Sequence, residues 1–276
     1  MSVTESRETA ALSETGTGKL DGKVAIVTGG TRGIGAAIGR SLAMQGAVVA
    51  AGFSTNREKA EAYLTDIVKH GATGSIHQGN VAECEDCERV VREVVEQHGR
   101  LDILVNNAGI TNDRPVLKMS AEDWNKVINV NLSGAFYMSK PALEHMIERG
   151  SGRIVNISSI IGQTGNVGQA NYAAAKSGLF GLTMTMAREA AQTLAKQGKL
   201  DDHGIGLTVN AVTPGFTETD MIESVPEKVL DSIKKRIPLG RFGRPDEVAR
   251  VVHFLCADAS AYITGQVWAV NGGMDM

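Results

Sequence analysis

Cysteine is scarce: three residues in a chain of 276 are too few, and odd in number, for a disulfide framework. A reducing, cytoplasmic setting is therefore expected. Cys84-Glu-Asp-Cys87 has the spacing of a redox motif, but it opens a charged helical stretch without the aromatic or proline context of a reactive pair. The six histidines are scattered and no His-Glu-x-x-His occurs, so no metal site is expected. Basic charge is not in excess either. A formal net charge of −3 without a Lys/Arg cluster argues against a nucleic-acid surface and for a small substrate. No apolar run approaches the ~20 residues of a membrane span. Residues 1–20 are polar and carry Glu5, Glu8 and Glu14, which fits neither a secretory segment nor an acid-poor transit peptide, and they are expected to form a mobile tail. No Pro- or Gly-rich linker interrupts the remainder.

What the chain does have is alternation. Apolar runs at Val24 to Val27, Val48 to Phe53, Ser75 to Gln78, Ile103 to Asn106, Ile154 to Ile157, Leu207 to Val212 and Val267 to Val270 alternate with helical stretches. This predicts right-handed crossovers and a single doubly wound α/β domain over residues 21–276, a seven-stranded parallel sheet with helices on both faces.

The first run leads into Thr28-Gly29-Gly30-Thr31-Arg32-Gly33-Ile34-Gly35, and a helical stretch from Ile34 to Met44 follows. Strand, tight turn and helix start coincide. Glycine backbones there would let a pyrophosphate approach the free N–H groups and the positive end of the helix dipole. The spacing is not Gly-x-Gly-x-x-Gly and no Gly-Lys-Ser/Thr follows, so a dinucleotide fingerprint is met in mechanism rather than in letter. An Asp or Glu about 20 residues further on would bind the ribose 2′-hydroxyl of NAD. That place holds Gly52-Phe53-Ser54-Thr55-Asn56, and Arg32 and Arg57 flank it, so NADPH is the expected cofactor.

Tyr172 and Lys176 are four apart, on one face of a helix. An ammonium beside a phenol favours the phenolate, so Lys176 is expected to bring Tyr172 from its usual ~10 towards neutrality. The pair then reads as a proton donor, with a nearby hydroxyl to hold the receiving oxygen.

These residues, with Ser159, Asn106-Asn107-Ala108-Gly109, Asn131 and Pro214-Gly215, resemble the short-chain dehydrogenase/reductase family in content and order from about Asp21 to the C-terminus. Gly168 to Gly178, Pro214 to Met221 and the closing Asn271-Gly-Gly-Met are most similar to its β-ketoacyl-acyl-carrier-protein reductases and acetoacetyl-CoA reductases. The resemblance implies a Rossmann-type fold and four catalytic residues: Tyr172 as proton donor, Ser159 (not Ser158) holding the carbonyl, Lys176 acidifying the phenol and binding the nicotinamide ribose, and Asn131 holding a water. It implies that Gly29, Thr31, Arg32, Gly33, Ile34, Gly35, Ser54 and Arg57 line the phosphate and 2′ end. Asn80 and Val81 would frame the adenine, Asn107, Ala108 and Gly109 the ribose and nicotinamide side, and Thr217 after Pro214-Gly215 the carboxamide. Gln169 and Phe216 join Ser159 and Tyr172 on the substrate side. Residues 216–243, closing on Pro238, Gly240 and Gly243, read as a helical lid.

The resemblance also implies a homotetramer, with the helices from Glu122 to Arg149 and from Tyr172 onwards pairing with copies of themselves. Two departures stand out. The connection 190–208 is about a dozen residues longer than usual, expected to extend the helix and turn at Asp201 to Gly204. Gly150 replaces a basic residue expected for docking an acidic carrier protein, which leaves carrier protein and CoA both open as the thioester. A non-thioester ketone, and a dinucleotide sensor without chemistry, are the other readings.

Overall fold

The computed structural model describes residues 19–200, 206–219 and 227–276. Seven parallel strands form one sheet in the order β3-β2-β1-β4-β5-β6-β7. They are β1 Val24–Val27, β2 Val48–Phe53, β3 Gly74–Gln78, β4 Ile103–Asn106, β5 Gly152–Ile157, β6 Leu207–Pro214 and β7 Val267–Val270. Four of the seven have the expected bounds; β3, β5 and β6 extend one or two residues further. The central strands are mostly apolar on both faces because each face is covered. Within β1, Val24 and Ile26 pack into one core while Ala25 and Val27 pack into the other.

The first core lies under α3 (Cys84–His98), α5 (Gly134–Arg149) and α7 (Ala170–Lys196). The second lies under α1 (Gly33–Ala43) and α9 (Pro245–Cys256). A smaller cluster seats α2 (Arg57–Lys69) through Tyr63 and Ile67. The remaining helices are α4 (Ala121–Ile128), α6 (Ile161–Thr164) and α8 (Glu227–Lys234). Local chemistry sets several helix starts. Asn56 caps α2 by accepting from the Lys59 N–H at 2.8 Å, and a Ser120–Asp123 capping box opens α4.

Two details differ from the expectation. Leu20, assigned to the tail, is fully buried in the second core, and its N–H donates to the Gln45 carbonyl at 2.8 Å. Burial of one large apolar side chain, worth about 2 kcal/mol, anchors the chain at that point. The helix expected from Glu122 to Arg149 contains a π turn at Asn129–Ser133. The helix holding Tyr172 does extend to Lys196, whereas the turn at Asp201 to Gly204 and part of the lid lie outside the described residues.

Candidate active site

The strand order reverses between β1 and β4, and in such sheets the crevice beyond the carboxyl ends of the strands takes the ligand. The predicted residues meet there. Gly29 turns with φ +59°, and a Cβ on it would lie 3.2 Å from the Ala108 Cα, so the glycine turn and the Asn107-Ala108-Gly109 corner are in backbone contact. Thr28 and Asn107 lace the two together. The Thr28 hydroxyl accepts from the N–H groups of Asn107 and Ala108, both at 3.0 Å, and the Asn107 amide donates to the carbonyls of Thr28 (2.9 Å) and Gly29 (3.2 Å). Thr28 escaped the sequence reading because its partners are 79 and 80 residues away.

The start of α1 fits a bound pyrophosphate. Arg32 at its cap offers no side-chain hydrogen bond, the first turn has no acid, and the first intrahelical bond runs from the Ala36 N–H to the Arg32 carbonyl. The preceding N–H groups are thus left for a ligand. Ile34 packs on the second core, and Thr219 folds back over the turn, with its Cγ2 3.4 Å from where a Gly33 Cβ would stand. Arg32 is exposed and makes no ion pair among the described residues. Arg57, also exposed, is committed to Glu61 at 2.9 Å. Ser54 lies at the end of β2 and Asn80-Val81 just past β3, away from the Ser159 group and on the side expected for the adenosine end.

On the other side of the crevice β5 leads into Ser158 and Ser159, and the structure distinguishes them. The Ser158 hydroxyl donates to the Lys176 carbonyl at 2.6 Å, whereas the Ser159 hydroxyl accepts from the Ile161 N–H at 3.2 Å and is the side chain whose influence favours ionisation of Tyr172. The Lys176 ammonium lies 5.7 Å from the Tyr172 ring centroid and donates to the Ile157 carbonyl at 2.8 Å. A Cβ on Gly109 would be 3.4 Å from that ammonium and 3.5 Å from Asn131 Oδ1, so the four candidate catalytic residues converge beside the glycine turn.

Two expectations change. Burial pushes the Tyr172 hydroxyl above its ordinary value, against the influence of Ser159 and with the added charge of Asp113, so the phenol is not acidified. Lys176 faces a carbonyl instead of the hydroxyl, and burial lowers its own pKa to about 8. Tyr172 is therefore protonated at neutral pH, the form that can donate. Asn131, buried within the π turn, spends both ends of its amide on the Ile110 backbone, accepting at 2.8 Å and donating at 2.9 Å. Its side chain holds the Gly109-Ile110 corner against Lys176; a widened turn at such a place is common in functional sites.

Gln169 is committed as well, donating to both carboxylate oxygens of Asp113 at 3.1 Å. Pro214 closes β6, its carbonyl accepting from the Ile160 N–H at 2.9 Å, and Gly215 presses on Asn271. Phe216 lies 6.4 Å from Phe242, and the Thr217 hydroxyl donates to the Gly215 carbonyl. Asn171 was missed. Fully buried, it donates to the carbonyls of Asn112 and Asp123 and accepts from the Tyr172 N–H, fixing the start of α7. Only its place beside Tyr172 could have signalled it.

A family model described as enoyl-(acyl carrier protein) reductase matches residues 29–275. The chain is 44% identical over 258 residues to the 3-oxoacyl-[acyl-carrier-protein] reductase FabG of Thermotoga maritima, covering 93% of this chain and 99% of that protein. With the protein of the same name from Aquifex aeolicus it shares 47% over 257 residues, 93% of this chain and 98% of the other. The 3-oxoacyl-[acyl-carrier-protein] reductase of a Synechocystis species is 43% identical over 258 residues, with 93% and 98% covered. Agreement at this level across nine-tenths of the chain makes it a member of the short-chain dehydrogenase/reductase family, oxidoreductases that work with a nicotinamide dinucleotide.

Proposed function

We propose that this protein reduces a 3-oxoacyl thioester to the 3-hydroxyacyl thioester with NADPH. The observation that carries the reading is the grouping of Ser159, Tyr172 and Lys176 in the crevice, with the Lys176 ammonium 5.7 Å from the Tyr172 ring. When bound, the dinucleotide supplies the hydride. The chain supplies the rest. Tyr172, kept protonated by burial, gives its proton to the ketone oxygen, and the Ser159 hydroxyl donates a second hydrogen bond to that oxygen as charge develops on it. Lys176 and Asn131 hold the wall behind them. Each end of the Asn131 amide already makes one hydrogen bond to the Ile110 backbone, so a water held there would use the remaining N–H, the remaining lone pair or the main chain.

Thioester chemistry is supported by the relatives' names, which specify an acyl carrier protein. Gly150 lacks the expected charge, but it ends α5 with φ +79° and the Lys199 side chain lies over it, its ammonium donating to the carbonyls of Ile147 and Glu148. The longer connection thus returns a cation to the place where one was missing, and acyl-carrier protein is the preferred carrier over CoA. NADPH is supported by Arg32, which makes no ion pair among the described residues. A lid is supported by its stapled ends: the Gly243 N–H donates to the Phe216 carbonyl and the Glu218 N–H to the Gly243 carbonyl, each at 2.9 Å. A homotetramer through α4–α5 and α7 is supported by the exposed Phe136 and Met184 on those helices.

The family model's description favours a second reading, an enoyl thioester as substrate. Steady-state rates with acetoacetyl and crotonyl thioesters, each on carrier protein and on CoA, separate the readings. The 3-oxo thioester on carrier protein is expected to turn over fastest, and Tyr172→Phe to lower that rate by roughly 100- to 10,000-fold while dinucleotide binding persists. Faster reduction of the enoyl thioester would overturn the assignment. In parallel, Arg32→Ala is expected to erase most of the preference for NADPH over NADH, read as the ratio of kcat/KM values.

A further inference from the structure

A chain of charged and polar side chains outside the catalytic group ends on the corner after β3. The Arg89 guanidinium, on α3, donates to Asp86 Oδ1 at 2.6 Å, to Glu93 Oε1 at 2.9 Å and to the Gln78 carbonyl at 3.0 Å. The other oxygen of Asp86 accepts the Asn80 N–H at 2.8 Å. The Gln78 amide in turn donates to the Ser54 carbonyl at 3.0 Å, and the Gly79 N–H donates to the Phe53 carbonyl at 2.9 Å. One cation therefore fixes the exits of β2 and β3 together. Its own conformation is also held, since Glu93 is shared with buried His77, whose other nitrogen shares the Ser75 hydroxyl with His98. The approach of α3 is close: a Cβ on Gly79 would stand 2.9 Å from Val90 Cγ2.

We propose that Arg89 is a positioning residue for the dinucleotide, shaping from the outer side of α3 the corner on which the adenosine end rests. This depends on the reading of Asn80 and Val81 as the adenine frame. The pairs of Arg89 with Asp86 and Glu93 are all more than a third exposed, and exposed pairs add little to global stability. A planar fork on three acceptors nevertheless fixes geometry, and a corner held in its bound shape spares the ligand the cost of ordering it. Asn80 is held from both sides, its N–H on Asp86 and its Oδ1 accepting from the Ala82 N–H at 3.1 Å.

The test is calorimetric titration with NADPH, paired with kcat and KM on the oxoacyl thioester, for Arg89→Gln, Arg89→Lys, Asp86→Asn, the Arg89→Gln/Asp86→Asn double variant and Asn80→Ala. Arg89→Gln is expected to raise the NADPH Kd and KM roughly 3- to 10-fold with kcat and melting temperature unchanged. Lysine, lacking the fork, should restore little. Asp86→Asn should weaken binding too, and the double variant no more than either single one. If Arg89 acted only as a distant positive charge on the phosphates, Asp86→Asn would tighten binding, and that result would overturn the proposal. So would an unchanged Kd in Arg89→Gln while Asn80→Ala binds weakly. An unchanged Kd in Asn80→Ala would instead remove the adenine-frame reading, and this proposal with it.

Discussion

At the scale of single residues, burial decides more than proximity. A lysine four residues from a tyrosine implies an acidified phenol, but the folded crevice raises the phenol and lowers the ammonium to about 8, because desolvation outweighs a cation at 5.7 Å that faces a carbonyl. The sign for stability follows. Lys176 titrates at 10.5 when unfolded and at about 8 when folded, a difference of about 3 kcal/mol that counts in full against the folded state below pH 8 and fades as pH rises towards 10.5. Lys176→Met removes that penalty and leaves the Ile157 carbonyl without its donor, at about 1–3 kcal/mol. Its melting temperature at pH 7 is therefore expected to match or exceed that of the parent. The parent should gain on the variant between pH 8 and 10; a difference independent of pH would contradict the buried-amine account.

At the scale of elements, a buried polar chain ties the central strands to the helices below them. The Asn106 amide donates to the Ser139 hydroxyl and to Asn156 Oδ1, both at 2.8 Å, and the Asn156 amide donates to the Thr183 hydroxyl at 2.8 Å. Asn156, Ser139 and Thr183 are fully buried, and they link β4, α5, β5 and α7, the four elements that carry Asn107, Tyr172 and Lys176 or brace them. Asn156→Ala leaves two buried partners short of a hydrogen bond and is expected to lower stability by about 2–4 kcal/mol in urea unfolding. Little of this was legible. The strand periods gave β1 to β7 because covered parallel strands are largely apolar, but an asparagine in a strand looks alike whether it faces solvent or another asparagine 50 residues away. The π turn was invisible for a related reason: no residue type encodes it, and it arises where Asn131 is drawn onto the Ile110 backbone.

For the whole molecule, the crevice is assembled from segments that only the closed sheet brings together, so a ligand spanning it should report on global stability. NADPH at about 100 times its Kd adds about 2.7 kcal/mol to the folded state, or a rise in melting temperature on the order of 5–10 °C for a domain this large. NADH at the same concentration should give a smaller rise if Arg32 selects the 2′-phosphate. Equal shifts would count against that selection.

What the amino-acid sequence determined alone was everything with a local cause: the strand runs, the glycine turn at a helix start, the caps, and Tyr172 and Lys176 on one helical face. Which serine meets the tyrosine, how Thr28, Asn131 and Asn171 are spent, and whether the phenol is raised or lowered were decided by tertiary structure. Hydrogen-bond partners 20 to 80 residues apart, and the water excluded around them, exist only once the sheet has closed.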